Sequence, residues 1–202
     1  MVWGLLELFA ATSDIENLSR AVRLDAVFME RFADEQTGAL YYTDKDAEKL
    51  IARTRTGYDG AVPSANSVQA MNLLRLYSWT GDMKFKAAAE GIIGAFAGEA
   101  AKNPAAYAHM MSALLQMGRE EAKVVVAGRT AAEMAELLSC ARKAGAVAVP
   151  VAADAALPEN LKEYFESYAP LGGRSAAYVC RGHACLPPVT DTGALIKLLE
   201  NN

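Results

Sequence analysis

The sequence predicts a mainly α-helical chain, built from helical hairpins with one short β-hairpin and followed by a small C-terminal α/β segment. Three observations predict it. Apolar residues recur at helical spacing through most of residues 1–118. The connections between those stretches are short, which makes neighbouring helices antiparallel. Near Gly118 the pattern changes to β-branched runs on either side of one helical stretch, the order of a βαβ unit. The expected domains are residues 1–118 and 119–202.

Residues 2–11 are apolar almost throughout and read as a short helix without an N-cap. Ser13-Asp14-Ile15-Glu16 has the capping-box pattern, with Ser13 accepting from a free N–H while Glu16 reaches back. The helix that follows carries Leu18, Ala21, Val22, Phe28, Met29 and Phe32 on one face. Gly38-Ala39-Leu40-Tyr41-Tyr42-Thr43 is β-like, residues 44–46 are a polar turn and residues 50–56 the return strand. Pro63 suits a helix N-terminus, where its missing N–H would have no partner. The helix over residues 64–79 is apolar around most of its circumference, the pattern of burial on more than one side. Phe85, Ala88, Ala89, Ile92, Ile93 and Phe96 form a single stripe, and Asn103-Pro104 opens another helix with Tyr107, Met110 and Leu114.

In the C-terminal segment, residues 123–127 read as a strand. Gly128-Arg129-Thr130 turns the chain, Thr130 and Glu133 make a second capping box, and Gly145 ends the helix. Residues 146–151 form a strand parallel to the first. Residues 158–168 read as helix, 176–180 as a third strand and 191–200 as an amphipathic helix.

Composition narrows the function classes. The chain has 202 residues, 52% hydrophobic and 22% charged, ordinary for a soluble globular protein. A net charge of -4 leaves no basic excess to neutralise phosphates, which argues against a nucleic-acid partner. No apolar run approaches the ~18–20 residues of a membrane span. The apolar start lacks a basic region and runs into a helical pattern containing Glu7, so it reads as helix rather than signal peptide. The three cysteines, Cys140, Cys180 and Cys185, form no dense framework and fit a reducing compartment, so a cytoplasmic location is expected. No cofactor is expected.

Tyr58-Asp59-Gly60-Ala61-Val62-Pro63-Ser64-Ala65-Asn66-Ser67 puts polar residues where the chain enters a core. It is the first candidate for one wall of a binding site. The competing reading has Asp59, Ser64 or Asn66 capping the following helix. Cys180-Arg181-Gly182-His183-Ala184-Cys185 admits three readings. Thiolates and imidazole suit zinc, with Cys140 as a fourth ligand. The pair could form a redox disulfide, with Arg181 lowering a thiolate pKa. Small cysteines could also simply pack in a strand and turn. Gly128-Arg129-Thr130 reads as a phosphate cradle or as a plain turn and cap. Asp44, Asp46 and Glu48 lack the glycine and terminal glutamate of a calcium loop and read as a solvated turn.

Four stretches together carry a family resemblance: Trp3-Gly4-Leu5-Leu6-Glu7-Leu8, the 38–43 run, the 58–67 run, and Tyr178-Val179-Cys180-Arg181-Gly182-His183-Ala184-Cys185-Leu186-Pro187-Pro188-Val189-Thr190-Asp191. They resemble the C-terminal part of the thioredoxin-domain-containing DUF255 proteins, also called the YyaL or spermatogenesis-associated protein 20 family. The resemblance implies an N-terminal thioredoxin-like domain in full-length relatives, followed by a six-hairpin (α/α) toroid similar to glycoside hydrolases and N-acylglucosamine 2-epimerases. This chain would supply the last hairpins, a partial (α/α) toroid, and the α/β tail.

The resemblance itself carries over no catalytic residues. Read from the residues, Asp59 is the candidate catalytic carboxylate at the mouth of such a toroid, bonding sugar hydroxyls or acting as acid or base, with Tyr58 to stack on a sugar face and Ser64 and Asn66 to add polar contacts to a sugar or similar small molecule. The epimerase relatives use histidine pairs. Here the two histidines are His109, off its helix's apolar stripe, and His183 in the tail, so no such pair is expected. The chain alone is not expected to be active. The alternative is a non-catalytic scaffold beside a thioredoxin domain, with Cys180 and Cys185 as exchange thiols. An incomplete toroid would expose apolar helix faces, which predicts a homo-oligomer, a two-fold dimer packed through residues 1–118.

Overall fold

The computed structural model describes residues 1–48, 52–119, 121–153, 156–182 and 184–200. The chain is mainly α-helical with one four-stranded sheet. It divides into two compact units, the first Met1–Leu6, Arg20–Tyr77 and Asp82–Arg119, the second Glu7–Ser19, Ser78–Gly81 and Glu120–Asn202. Helices α1 (Val2–Thr12), α2 (Ile15–Phe32) and α3 (Ala65–Thr80) therefore have residues in both.

Helix α2 is capped by Asp14 rather than Ser13. Asp14 Oδ1 accepts the Glu16 N–H at 3.1 Å, while Ser13 sits at φ 60 and its hydroxyl accepts from Arg142. A residue in the left-handed region cannot present the extended N-cap geometry, so the role passes one residue on.

In the first unit, α3 buries Ala70, Leu73, Leu74 and Leu76 together with the polar Asn66, Ser67, Gln69 and Asn72. Burial thus runs around much of the helix. Helix α4 (Met83–Lys102) starts on Asp82, which accepts the Lys84 N–H, and buries Phe85, Ala89, Ile92, Ile93 and Phe96 of the predicted stripe, while Ala88 is half-buried. Gly38, at φ 75, lets α4 come close: a Cβ there would lie 3.1 Å from the Gly91 backbone. A 3₁₀ turn, Pro104–Tyr107, leads into α5 (Ala108–Met117).

The expected β-hairpin is a correction. Among the described residues, residues 38–56 form one isolated bridge, Ala33 to Leu40, and a single bond from Tyr42 N–H to Thr54 C=O at 3.0 Å. Residues 50 and 51 of the expected return strand lie outside the described residues. The backbone groups a ladder would use are already taken. The Asn66 amide holds both N–H and C=O of Leu40, and Phe32 C=O accepts the Tyr41 N–H.

The second unit holds a sheet of order β2-β1-β3-β4, with β1 Lys123–Gly128, β2 Val147–Ala152, β3 Ala176–Arg181 and β4 Ala184–Cys185. β1 and β2 are parallel and joined through α6 (Ala131–Lys143), as the βαβ pattern predicts. β3 is antiparallel to β1, with Val125 opposite Tyr178. One sheet face, Val124, Val126, Ala177 and Val179, packs with Met134, Leu137, Leu138 and Ala141 of α6 and Leu195 of α8 (Thr192–Glu200).

Thr130 caps α6 by accepting the Glu133 N–H, while the Glu133 carboxylate reaches back to the Arg129 N–H instead of closing on Thr130. The helix expected over residues 158–168 shrinks to a 3₁₀ turn, Glu159–Leu161, and one helical turn, α7 (Lys162–Phe165). Leu161 and Phe165 are completely buried, worth roughly 2 kcal/mol each. Beyond them the chain is drawn onto the sheet by Tyr178, whose hydroxyl donates to Ala169 C=O at 2.7 Å.

Candidate functional site

The 58–67 run brings all four expected residues together, in the first unit, and commits three of them to its own chain. Asp59 Oδ1 accepts the Ser64 N–H at 2.8 Å. Asp59 Oδ2 accepts the N–H groups of His109 at 2.9 Å and Met110 at 3.2 Å. These two belong to the orphan donors of the first turn of α5, where the helix dipole favours a carboxylate. Asp59 thus caps α5, 50 residues away in sequence, rather than the helix that follows it. Its own N–H donates to Ala106 C=O at 2.7 Å and fixes the same junction.

Ser64 is the cap of α3, its Oγ accepting the Ser67 N–H at 3.0 Å. Asn66 is buried and bridges three backbone groups: it accepts from Leu40 N–H at 2.7 Å and donates to Leu40 C=O at 3.0 Å and Thr56 C=O at 2.9 Å. Tyr58 alone presents its side chain outward, 57% exposed, with its ring edge over Gly60. Gly57 is needed at its place because a Cβ would meet the Phe96 ring at 2.7 Å.

His109 is half-buried, its ring centroid 5.4 Å from that of Trp3, and its Nε2 is buried without a hydrogen-bond partner. Its link to Asp59 runs through the backbone only. His183 lies outside the described residues. Tyr107 donates to the Glu99 carboxylate at 2.6 Å, and that bond pushes its phenol up to about 12.

A buried acid escaped the sequence reading. Asp25 on α2 is 3% exposed, and burial raises its carboxyl to about 6 although the Gln69 amide donates to it. Its spacing from Leu18 and Ala21 places it on the apolar face, the signal that could have found it.

In the second unit, Cys180 and Cys185 are joined by a disulfide. They stand directly opposite each other on β3 and β4. The flanking bond from Leu186 N–H to Val179 C=O makes theirs a non-hydrogen-bonded pair, the pair whose side chains come closest. Cys180 is 3% exposed, whereas Cys185 is exposed. With both sulfurs bonded to each other, neither is a thiolate ligand. Cys140 stands apart on α6, its Sγ 3.8 Å from Thr192 C=O. Among the described residues no group of three His, Cys, Asp or Glu side chains is placed to hold a metal ion.

Arg181 does not face the sulfurs. Strand alternation turns it to the other side of β3, where its guanidinium donates to Leu198 C=O and Leu199 C=O at the end of α8. Among the described residues, the group beside the disulfide is Tyr168, whose hydroxyl lies 3.6 Å from both Sγ atoms. Disulfide sulfurs carry no proton, so the hydroxyl is the donor, its one proton available to either sulfur. Burial first, and the neighbouring Tyr178 second, raise the Tyr168 phenol above its ordinary value, which keeps it protonated. Tyr178 lies two residues before Cys180 on the same face of β3. Its ring meets Tyr168 edge-on at 5.0 Å.

No helix of the described residues is long and apolar enough to cross a membrane. No family model matches the chain. Spermatogenesis-associated protein 20 of Homo sapiens is 31% identical over 209 residues, covering 99% of this chain. The Mus musculus and Rattus norvegicus proteins of that name are 30% and 29% identical over the same share. The chain spans about a quarter of these relatives' length, 26% in each case. Full-length relatives carry an N-terminal thioredoxin domain. Over 99% of its length the chain is thus similar to part of spermatogenesis-associated protein 20, in line with the resemblance its motifs carry to the thioredoxin-domain-containing DUF255 proteins.

Proposed function

We propose that this chain is a non-catalytic scaffold of a thioredoxin-domain protein whose working group is the Cys180–Cys185 disulfide, a substrate for thiol–disulfide exchange with that domain. The observation that carries the reading is the pairing of one exposed and one buried cysteine under a tyrosine hydroxyl. An exposed sulfur gives an incoming thiolate access, and exchange rates depend on access and on the leaving thiolate. The N-terminal thioredoxin domain of full-length relatives is the partner this reading assigns, with a dithiol there as the reductant. The test is capture. A reduced thioredoxin-like domain with its second cysteine changed to serine, mixed with the oxidised chain, forms a mixed disulfide through Cys185. Absence of any mixed disulfide at equimolar concentration would count against the reading.

A second reading, a wall for a sugar-like ligand within an (α/α) toroid, is favoured by the outward Tyr58 ring, a surface on which a sugar face can stack. In it Asp59, Ser64 and Asn66 support the wall rather than touch the ligand, because their polar atoms already hold backbone groups. Binding of a methyl glycoside series that is lost in Tyr58→Ala tests it. Self-association is supported by Leu114 and Leu115, 41% and 70% exposed on α5. Light scattering of a Leu115→Lys variant, monomeric where the parent is dimeric, checks that contact. A cytoplasmic location accords with an exchangeable disulfide, since reducing compartments keep such bonds transient.

A further inference from the structure

We infer that Tyr168 is the hydrogen-bond donor to the leaving sulfur when the Cys180–Cys185 disulfide is reduced, and that the incoming thiolate attacks Cys185. This rests on the exchange reading above and adds its direction and its catalytic residue. The two sulfurs are not equivalent. Cys185 ends the two-residue strand β4 and is exposed, whereas Cys180 is 3% exposed within β3. In-line displacement needs an approach opposite the leaving sulfur, and only Cys185 offers one to a molecule outside the sheet.

That direction leaves the electron pair on the buried sulfur. A thiolate in apolar surroundings is a poor leaving group, because burial disfavours its charge. Tyr168 answers that problem. Its hydroxyl already lies 3.6 Å from Cys180 Sγ and, held above its ordinary titration range, it is protonated when the charge forms. A donor fixed where charge will develop needs no reorganisation at the moment of reaction. Its place is set by Tyr178, which meets the Tyr168 ring edge-on and donates to Ala169 C=O at 2.7 Å. Arg181, which the sequence offers for the same role, is occupied at the end of α8.

The exchange balances with a dithiol as the reductant. Its thiolate attacks Cys185 Sγ, a mixed disulfide forms, and the Cys180–Cys185 bond breaks with its electron pair passing to Cys180 Sγ. That thiolate takes the Tyr168 hydrogen bond and then a proton from solvent. The second thiolate of the dithiol attacks its own sulfur in the mixed disulfide, releasing Cys185 as a thiolate that is protonated in turn. The dithiol loses two electrons and two protons, and the chain gains two thiols.

The test follows reduction of the full oxidised chain by dithiothreitol, with glutathione used separately to map the first adduct by mass spectrometry. Tyr168→Phe keeps both rings and should slow reduction about tenfold, the effect of losing one hydrogen bond to a developing charge, with the melting temperature unchanged. Glutathione should add to Cys185 in parent and variant alike. Tyr178→Phe, a second variant, should slow reduction severalfold, and combining it with Tyr168→Phe should slow it no further than Tyr168→Phe alone. Equal rates in parent and both single variants, or a first adduct on Cys180, overturn the inference while leaving exchange intact. A disulfide reduced only in denaturant overturns both.

Discussion

Replacing Asp59 is expected to cost stability before it costs any chemistry, and the size of the loss follows from its three bonds. Asp59→Ala removes the acceptor for the N–H groups of Ser64, His109 and Met110. Bonds to a charged acceptor are worth about 1.5–3 kcal/mol when fully sheltered and about 1 kcal/mol where water can replace them. Asp59 is half-exposed, so the lower value applies to each. The expected total is about 3 kcal/mol, of which the two bonds that cap α5 account for about 2 kcal/mol. Asp59→Asn keeps one carbonyl oxygen in place and gives up the second acceptor and the charge, so about 1.5 kcal/mol is expected. Urea denaturation followed by tryptophan fluorescence measures both, with Trp3 reporting locally through its contact with His109. An alanine variant within about 0.5 kcal/mol of the parent would refute the capping account. Alanine and asparagine costing the same would show that charge, not acceptor geometry, does the holding.

Asp25 makes the stability of the chain depend on pH. Its carboxyl binds a proton more tightly in the folded chain, at about 6, than in the unfolded chain, where the ordinary value of 3.8 applies. The folded state is therefore favoured most below about pH 4 and loses up to about 3 kcal/mol as pH rises past 6. Asp25→Asn should remove that slope and be more stable at about pH 7.5; parallel denaturation profiles for parent and variant would contradict this. Asn66→Ala should lower stability by about 3 kcal/mol, because Leu40 N–H, Leu40 C=O and Thr56 C=O all lose their partner; a midpoint shift under a third of that would argue that water substitutes. Gly57→Ala should cost about 1–3 kcal/mol through overlap with the Phe96 ring, and pairing it with Phe96→Leu should recover part of the loss if that overlap is the cause.

What the sequence made legible was whatever depends on neighbours along the chain. The stripe of α4, the parallel β1 and β2, and the Thr130 cap all follow from spacing within one or two turns. What it hid depends on contacts made across it. The 38–56 hairpin was misread because its β-like composition gives no sign that Asn66, 26 residues on, takes over the Leu40 backbone. Asp59 looked like a cap for the next helix, yet its carboxylate serves α5. In the cysteine stretch, Arg181 was the nearest cation in sequence, but strand alternation sends it to the opposite face, while Tyr168 arrives from 12 residues upstream. Only Tyr178, in step with Cys180, hinted at an aromatic lining there.

The most direct test of the exchange account is a count of reactive thiols in the native chain before and after treatment with a reduced thioredoxin-like dithiol domain. Alkylation read by intact mass should rise from one modified cysteine, Cys140, to all three of the chain's cysteines within minutes and without denaturant. A count that stays at one after prolonged incubation, rising only when the chain is unfolded, would contradict it.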